Sequence, residues 1–226
     1  MSFANARIMT VEEARALVAP VLASFMAKAD LEIALDHELM FADDYESSGV
    51  LALPEGAVVD GDLVLDHEEA VAGGRSYRGI IALGALTVTG DIVNLCCDGG
   101  PFLVTLGPLH VRHILKGGAT MIAVGPVTAL GTIYCSYNHG GFRAWGGVTA
   151  QAILIDDQLY EIAGHVEAVK LVLGEDDPAG YLVPELLWEE DDGSLIPMDD
   201  FGEEVTARIK AGEPVFRAEA PRHRRG

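Results

Sequence analysis

From Gly49 to Leu171 the chain is a succession of short runs in which every second residue is apolar, with a glycine between neighbouring runs. Gly61, Gly90, Gly107, Gly125, Gly146 and Gly164 hold these positions, at intervals of 29, 17, 18, 21 and 18 residues by subtraction. Four and two residues before the glycine stand Leu86 and Val88, Leu103 and Thr105, Met121 and Ala123, Phe142 and Ala144, Tyr160 and Ile162. Two and four residues after it stand Leu63 and Leu65, Ile92 and Asn94, Leu109 and Val111, Val127 and Ala129, Val148 and Ala150, Val166 and Ala168. Side chains alternate across a strand, so these residues share one face. Val104, Ile122, Arg143, Thr128, Thr149 and Glu167 share the other. The first set is apolar apart from Thr105 and Asn94; the second is mixed.

A repeat of strand, glycine corner, strand and a more variable third side predicts an all-β chain wound as a right-handed β-solenoid. Each coil buries its apolar face only against its neighbours. A left-handed hexapeptide helix needs an aliphatic residue at every sixth position, which does not persist here. A sandwich needs hairpins between longer strands. The 29-residue interval contains His67 to Tyr77, rich in Glu, Ala and Gly, which reads as a loop thrown out from a coil.

The flanks follow different rules. Thr10-Val-Glu-Glu13 is a capping box, and behind it Val11, Ala14, Leu17, Val18, Val21, Leu22, Phe25 and Met26 recur at helical spacing. Pro20 inside this pattern predicts a kink or break near Ala19. Leu31 to Phe41 fits helix or strand, and Asp43 to Gly49 reads as a loop. After Leu171 the period stops. Glu175 to Pro178 forms a turn and Trp188 to Gly193 an acidic loop. Phe201, Val205 and Ile209 mark a short helix ended by Gly212 and Pro214, Val215-Phe216 add a strand, and Pro221 to Gly226 fray. The predicted organisation is a helical cap over 1–48, the solenoid over 49–171 and an acidic extension over 172–226. The helix and the extension are expected to cover the open ends of the coil stack.

Charge narrows the choice of partner. Fifteen Lys and Arg stand against 35 Asp and Glu, for a formal net charge of −20. Phosphate backbones are held by cations, so neither nucleic acid nor an anionic membrane is expected as a partner. A basic protein surface would be attracted. Three cysteines form no disulfide framework, no basic n-region precedes an apolar run, and no segment reaches membrane-spanning length. These features predict a cytoplasmic protein.

Gly56-Ala-Val-Val-Asp-Gly-Asp-Leu63, Gly84-Ala-Leu-Thr-Val-Thr-Gly-Asp-Ile92 and Gly125-Pro-Val-Thr-Ala129 resemble coils of bactofilins and related bacterial polymer-forming β-solenoids. Tyr137-Asn-His-Gly-Gly141 with Ile153-Leu-Ile-Asp-Asp157 is similar to uncharacterised bacterial solenoids of that type. The resemblance covers about the middle half of the chain. It implies a right-handed solenoid with no cofactor and no catalytic motif. Bactofilins resemble bare solenoids with short tails, whereas this chain carries long flanks, so a monomer or small homo-oligomer is expected in place of a filament.

The third side of each coil gathers the candidate chemistry: Cys96-Cys97-Asp98, Lys116, Tyr134 to His139, and Asp156-Asp157. The longest of these, with Tyr137, Asn138 and His139, either makes contacts or supplies turn conformations, with Asn138 and Gly140 bending the chain. A zinc site would draw on Cys96 or Cys97, His113, Cys135 and His139, but adjacent Cys96 and Cys97 point opposite ways and no CxxC spacing is present. Buried structural cysteine and no bound metal are expected. His110 and His113 flank Arg112 and face opposite sides. Arg112, Arg143, Asp156 and Asp157 imitate the acid and base pairs of sugar-cleaving solenoids. The acidic tail, Glu189 to Asp192 with Asp199, Asp200, Glu203 and Glu204, is a solvated face or a docking surface. The leading expectation is a non-catalytic module that binds another protein or its own copy through the Tyr137 loop, Arg143, Asp156, Asp157 and the acidic segment. The alternative is an enzyme acting on a carbohydrate or small molecule in a groove along the strands.

Overall fold

The computed structural model describes residues 5–39, 49–66, 71–72, 75–96, 99–137 and 139–225. A short strand, β1 (Arg7–Met9), leads into helix α1 (Val11–Leu22). Thr10 caps that helix as its sequence predicts: its hydroxyl accepts from the Glu13 amide and the Glu13 carboxylate accepts from the Thr10 amide. Pro20 does not break the helix at Ala19. It sits within the last three residues, and the helix stops at Leu22. Helix α2 (Lys28–Ile33) and a π-turn (Ala34–Glu38) follow, so Leu31 to Glu38 of the ambiguous stretch Leu31 to Phe41 is helical. Phe41 and the predicted loop 43–48 lie outside the described residues.

The coils then run in order: β2 (Gly49–Leu53), β3 (Ala57–Val59) and β4 (Leu63–Val64); β5 (Val71–Ala72), β6 (Arg75–Ala82), β7 (Leu86–Val88) and β8 (Ile92–Asn94); β9 (Phe102–Thr105), β10 (Leu109–Val111) and β11 (Ile114–Lys116); β12 (Met121–Ala123), β13 (Val127–Ala129) and β14 (Thr132–Ser136); β15 (Gly141–Ala144) and β16 (Val148–Asp156); β17 (Leu159–Ile162) and β18 (Val166–Val172). The protein is a β-solenoid. Parallel pairing joins β2, β6, β9, β12, β15 and β17 into one wall. A second wall holds β3, β7, β10, β13 and the starts of β16 and β18. The third holds β4, β8, β11, β14 and the ends of β16 and β18. Within the predicted loop 67–77, β5 pairs antiparallel with β6 as a hairpin.

Inward residues stack in ladders. Leu86, Leu109, Val127, Val148 and Val166 align on the second wall, and Leu63, Ile92, Ile114, Ile133 and Ile153 on the third. Most are fully buried and form one continuous core. Of the two polar exceptions, Asn94 donates to Leu65 O, Asp66 Oδ1 and Gly99 O, and accepts from the Ala119 amide. The Thr105 hydroxyl is buried with no partner among the described residues.

One feature of the repeat differs from its reading in the sequence. The glycines form two columns. Gly61 and Gly90 stack with Arg112 and Gly131 at the corner between the second and third walls, through amide-to-carbonyl bonds from each coil to the previous one. Gly84, Gly107, Gly125 and Gly146 stack at the corner between the first and second. There a Cβ added at Gly107, Gly125 or Gly146 would lie 2.3–2.5 Å from the backbone of the glycine below. Leu86 and Val88 therefore pair with the second wall, not with Leu103. The inward and outward assignment survives because both corners preserve strand parity.

The flanks cover walls. Ala14, Val18 and Leu22 of α1, with Leu35 and Leu39, pack on the outer-face residues Val50, Ala52, Ile81, Val104 and Ile122 of the first wall, and Trp145 joins them. Phe25 stacks on the Trp145 indole with ring centroids 4.7 Å apart. On the third wall, Val93, Leu115, Tyr134, Leu154 and Leu171 are covered by Leu182, Leu186, Val215 and the buried stripe Phe201, Val205 and Ile209 of α3 (Phe201–Ala211). Gly212 ends α3 with a left-handed φ of 72°, as predicted. Between these elements, β19 (Leu187–Glu189) and β20 (Leu195–Pro197) form a hairpin where the sequence suggests only an acidic loop. At the stack's ends the pairing is by strands: β1 runs antiparallel on β2, and β21 (Arg222–Arg225) antiparallel on β18. The predicted fraying of 221–226 is thus corrected for Arg222 to Arg225, whose Arg224 lies 3.7 Å from Glu167. Val215-Phe216 contribute only an isolated bridge, Leu182 to Phe216.

Position on the two faces sets the cost of a charge. Val127→Asp and Val148→Asp should each destabilise by about 3 kcal/mol or more in urea denaturation, because both side chains are buried inside the stack. Ile122→Asp should cost as much although it points outward, since the N-terminal helices cover it. Thr149→Asp, on the exposed second wall, should change stability by less than about 1 kcal/mol. A cheap Ile122→Asp would show that the helices do not clad the first wall.

Candidate functional site

The corner from the third wall back to the first is where successive coils differ most. Among the described residues, two non-glycines there adopt left-handed backbone, Tyr137 at φ 73° and Asp157 at φ 46°. They follow Ser136 and Asp156, which are paired across neighbouring coils, so the two sit one above the other. Asp tolerates this conformation; for a bulky tyrosine it is unusual and must be held by its surroundings. The Tyr137 amide donates to Asp156 O at 3.0 Å. Below it, Gln158 donates to Gly140 O at 2.9 Å and His139 O at 3.4 Å, and accepts from Lys116 Nζ at 2.6 Å. One glutamine thus joins three coils behind the corner. Gly140 has a left-handed φ of 65°, and a Cβ there would lie 2.3 Å from Gly118 O, so the turn requires glycine.

In front of this corner lies a cleft of about 790 Å3, with the coil rim on one side and α3 on the other. The rim supplies Tyr134, Ser136, Tyr137, Asp156 and Asp157; α3 supplies Gly202, Glu203, Thr206 and Lys210. Tyr134 is 2% exposed because its ring belongs to the apolar layer beneath α3, and its hydroxyl donates to Asp156 Oδ2 at 3.3 Å. Burial raises the Asp156 carboxyl above its ordinary range, the Tyr134 hydrogen bond lowers it, and neighbouring Asp157 raises it further. Burial also drives the Tyr134 phenol far upward. Among the described residues, no cation lies within ion-pair distance of Asp156, Asp157 or Glu203.

The candidates read from sequence separate. Tyr137, Asp156 and Asp157 come together in the cleft. His139 is exposed beside them, its ring edge-on to Tyr137 with centroids 5.0 Å apart. Asn138 and Cys97 lie outside the described residues. Arg143 is elsewhere: on the outer face of the first wall it is buried in a bidentate pair with Glu38, with Nη2 to Oε1 at 2.8 Å, and it tethers the π-turn. Arg112 is held bidentately by Asp91 at 2.7 and 2.8 Å at a different corner, so the acid and base grouping of a sugar-cleaving groove is not assembled. Nor are the metal candidates. Cys135 points into the core, His113 Nδ1 accepts from the Thr132 amide at 3.0 Å, and Cys96 is half-buried. No cluster of three or more His, Cys, Asp or Glu suited to a metal occurs among the described residues.

Glu203 was legible as part of the acidic segment and Lys210 only as part of the helical stretch, since nothing in the repeat announces which wall α3 covers. Lys116 carried a signal, because it stands two residues after inward Ile114. Its ammonium is buried, donating to Gly117 O at 2.7 Å and to Gln158, and burial lowers its pKa to about 8. The neighbouring Cys135 thiol is pushed up to about 12 by burial. No described helix is long and apolar enough to cross a membrane. Comparison with protein-family models, with curated proteins and with solved structures found no match.

Lys116 gives stability a pH dependence of known sign. From about pH 8 up to 10.5, its ordinary value, the unfolded chain keeps a proton that the folded chain has lost, so stability rises with pH. Cys135 acts oppositely from pH 9, its ordinary value, upward, because there the folded chain keeps the proton. Urea denaturation should therefore show a rise of about 1 kcal/mol from pH 8 to 9. Lys116→Met should abolish it. A flat wild-type profile over that interval would refute the buried ammonium.

Proposed function

We propose that this protein is a non-catalytic β-solenoid that docks a basic protein surface in the cytoplasm. The observation that carries the reading is the β19–β20 hairpin. Trp188 and Ile196 are direct cross-strand neighbours and stand 65% and 38% exposed, an apolar face with no cover among the described residues. Glu189, Glu190, Asp191 and Asp192 surround it at the strand end and turn. The Ser194 side chain and backbone hydrogen bonds lower the Asp192 carboxyl, which keeps it charged. An exposed tryptophan ringed by carboxylates matches a partner that offers an apolar socket rimmed by Lys or Arg. The net charge of −20 favours the same partner through long-range attraction. Free thiols at Cys96 and Cys135 fit a reducing compartment.

The finer architecture belongs to this proposal. Parallel strands joined by crossovers are right-handed in nearly all sheets, which supports a right-handed coil like that of the bactofilin coils it resembles. The reversed strands β1 and β21 close the edges of β2 and β18, which supports a discrete species over a filament.

Two measurements test this. Affinity capture from the native host at moderate salt should retain a basic protein. That protein should be lost with Trp188→Ser, and lost separately when Glu189, Glu190, Asp191 and Asp192 are replaced by their amides. Retention by both variants would refute docking through the hairpin. In sedimentation and electron microscopy the full chain should remain a monomer or small homo-oligomer at low and high salt, whereas removal of residues 1–10 should open the β2 edge and produce larger assemblies. Filaments of the full chain, or an unchanged species after removal, would refute closure by terminal strands.

A further inference from the structure

The cleft between the coil rim and α3 has a composition that the docking reading leaves unused. Asp156 and Asp157 come from one coil corner and Glu203 from the first turn of α3. An ionised carboxylate offers about four acceptor sites. Among the described residues the one side-chain donor to Asp156 is the Tyr134 hydroxyl, although the group is half-buried. An anion withdrawn from water with so few partners gains from any cation that reaches it. Two cations line the same space. Lys210 is exposed and makes no ion pair with these carboxylates among the described residues, and the Lys116 ammonium is turned away, engaged by Gly117 and Gln158. Tyr137 adds a half-exposed ring at the mouth, held in a left-handed turn, and an aromatic face adds to the attraction of a cation.

We infer that this cleft is a subsite for a single alkylammonium or guanidinium group, the side chain of a Lys or Arg projecting from the basic partner. This rests on the docking reading only for who presents the group. The two surfaces are close in the chain: Gly202 on the cleft wall is five residues on from Pro197, the end of β20, at most about 17 Å of extended backbone. A partner seated on Trp188 therefore lies within reach of the cleft. A polyhydroxylated ligand would also find acceptors here, but it would leave the unpaired charge of three carboxylates uncompensated.

The test uses the full chain and small probes, so that it stands apart from hairpin docking. Nα-acetyl-lysine methylamide and Nα-acetyl-arginine methylamide, each with one positive charge, are titrated while the Tyr134 and Tyr137 ring resonances are followed by NMR. Nα-acetyl-norleucine methylamide and xylose serve as the uncharged aliphatic and the polyol. The cationic probes should shift these resonances saturably and the neutral ones should not. Asp156→Asn with Asp157→Asn should weaken binding at least tenfold. Asp191→Asn with Asp192→Asn, the same change in net charge on the hairpin, should alter it less than twofold. Glu203→Gln, at an exposed position of α3, provides a variant with little risk to folding and should weaken binding about threefold or more, while Lys210→Gln should strengthen it. Absence of saturable binding by either cation would overturn the inference. So would equal loss from the hairpin amides, or equal binding of norleucine or xylose. Loss of partner capture with Trp188→Ser alongside intact probe binding would leave the cleft assignment standing, and the reverse pattern would remove it while sparing the docking reading.

Discussion

Everything in this molecule depends on the requirement that each coil hydrogen-bond to the one before it. A strand of three or four residues has no independent stability, and its apolar face is too small to bury alone. Stacking supplies both needs, but only if equivalent atoms recur at every level. That is why Ile114 lies between Ile92 and Ile133, and why Gly107 lies against Gly84 with no room for a Cβ. The corner before the first wall carries departures from equivalence that use side chains: one coil turns there through Tyr137, another through Asp157, and Gln158 ties them to Lys116. The ladder fixes the backbone closely enough for this corner to vary, and the variation gathers the titratable groups.

The same requirement explains what the sequence disclosed. The strands, their parity and the interior were legible because alternation survives any corner. The assignment of Leu86 to a wall was not, because glycine serves two different corners and the sequence marks them identically. The outward positions held more information than their mixed appearance suggested. Val104 and Ile122 are apolar where a helix lies over them, while Thr128 and Thr149 mark a wall whose outer face carries no helix among the described residues. Had the outward residues been sorted by wall, the flanks would have been expected on faces and not on ends.

The candidate cleft was half legible. Tyr137, Asp156 and Asp157 could be grouped because the repeat places them in one column. Arg143 looked equivalent by sequence and is not, since its strand faces the N-terminal segment and meets Glu38. Glu203 and Lys210 depend on how α3 docks, a long-range choice made by Phe201, Val205 and Ile209 finding the Leu115–Tyr134–Leu154 strip. The Trp188 hairpin escaped notice for a different reason: its strands are three residues long and its turn is nearly all acidic, so composition overrode a pattern too short to read. Arg222 to Arg225 escaped likewise, as three arginines and a histidine paired on an edge.

The cladding of the first wall has a consequence for the size of the solenoid. Its buried contacts run from Val50 and Ala52 on β2 to Trp145 just beyond β15, five levels of the stack and about 19 Å at the usual interstrand spacing. A twelve-residue helix is about 18 Å long. A repeat by itself has no preferred length, since any coil would serve as the template for another. Here the non-repeating segment acts as a gauge: a level inserted among the existing ones would pull Trp145 and Arg143 out of step with Phe25 and Glu38. The number of coils is therefore written outside the repeat, in the span of the elements that lie across it.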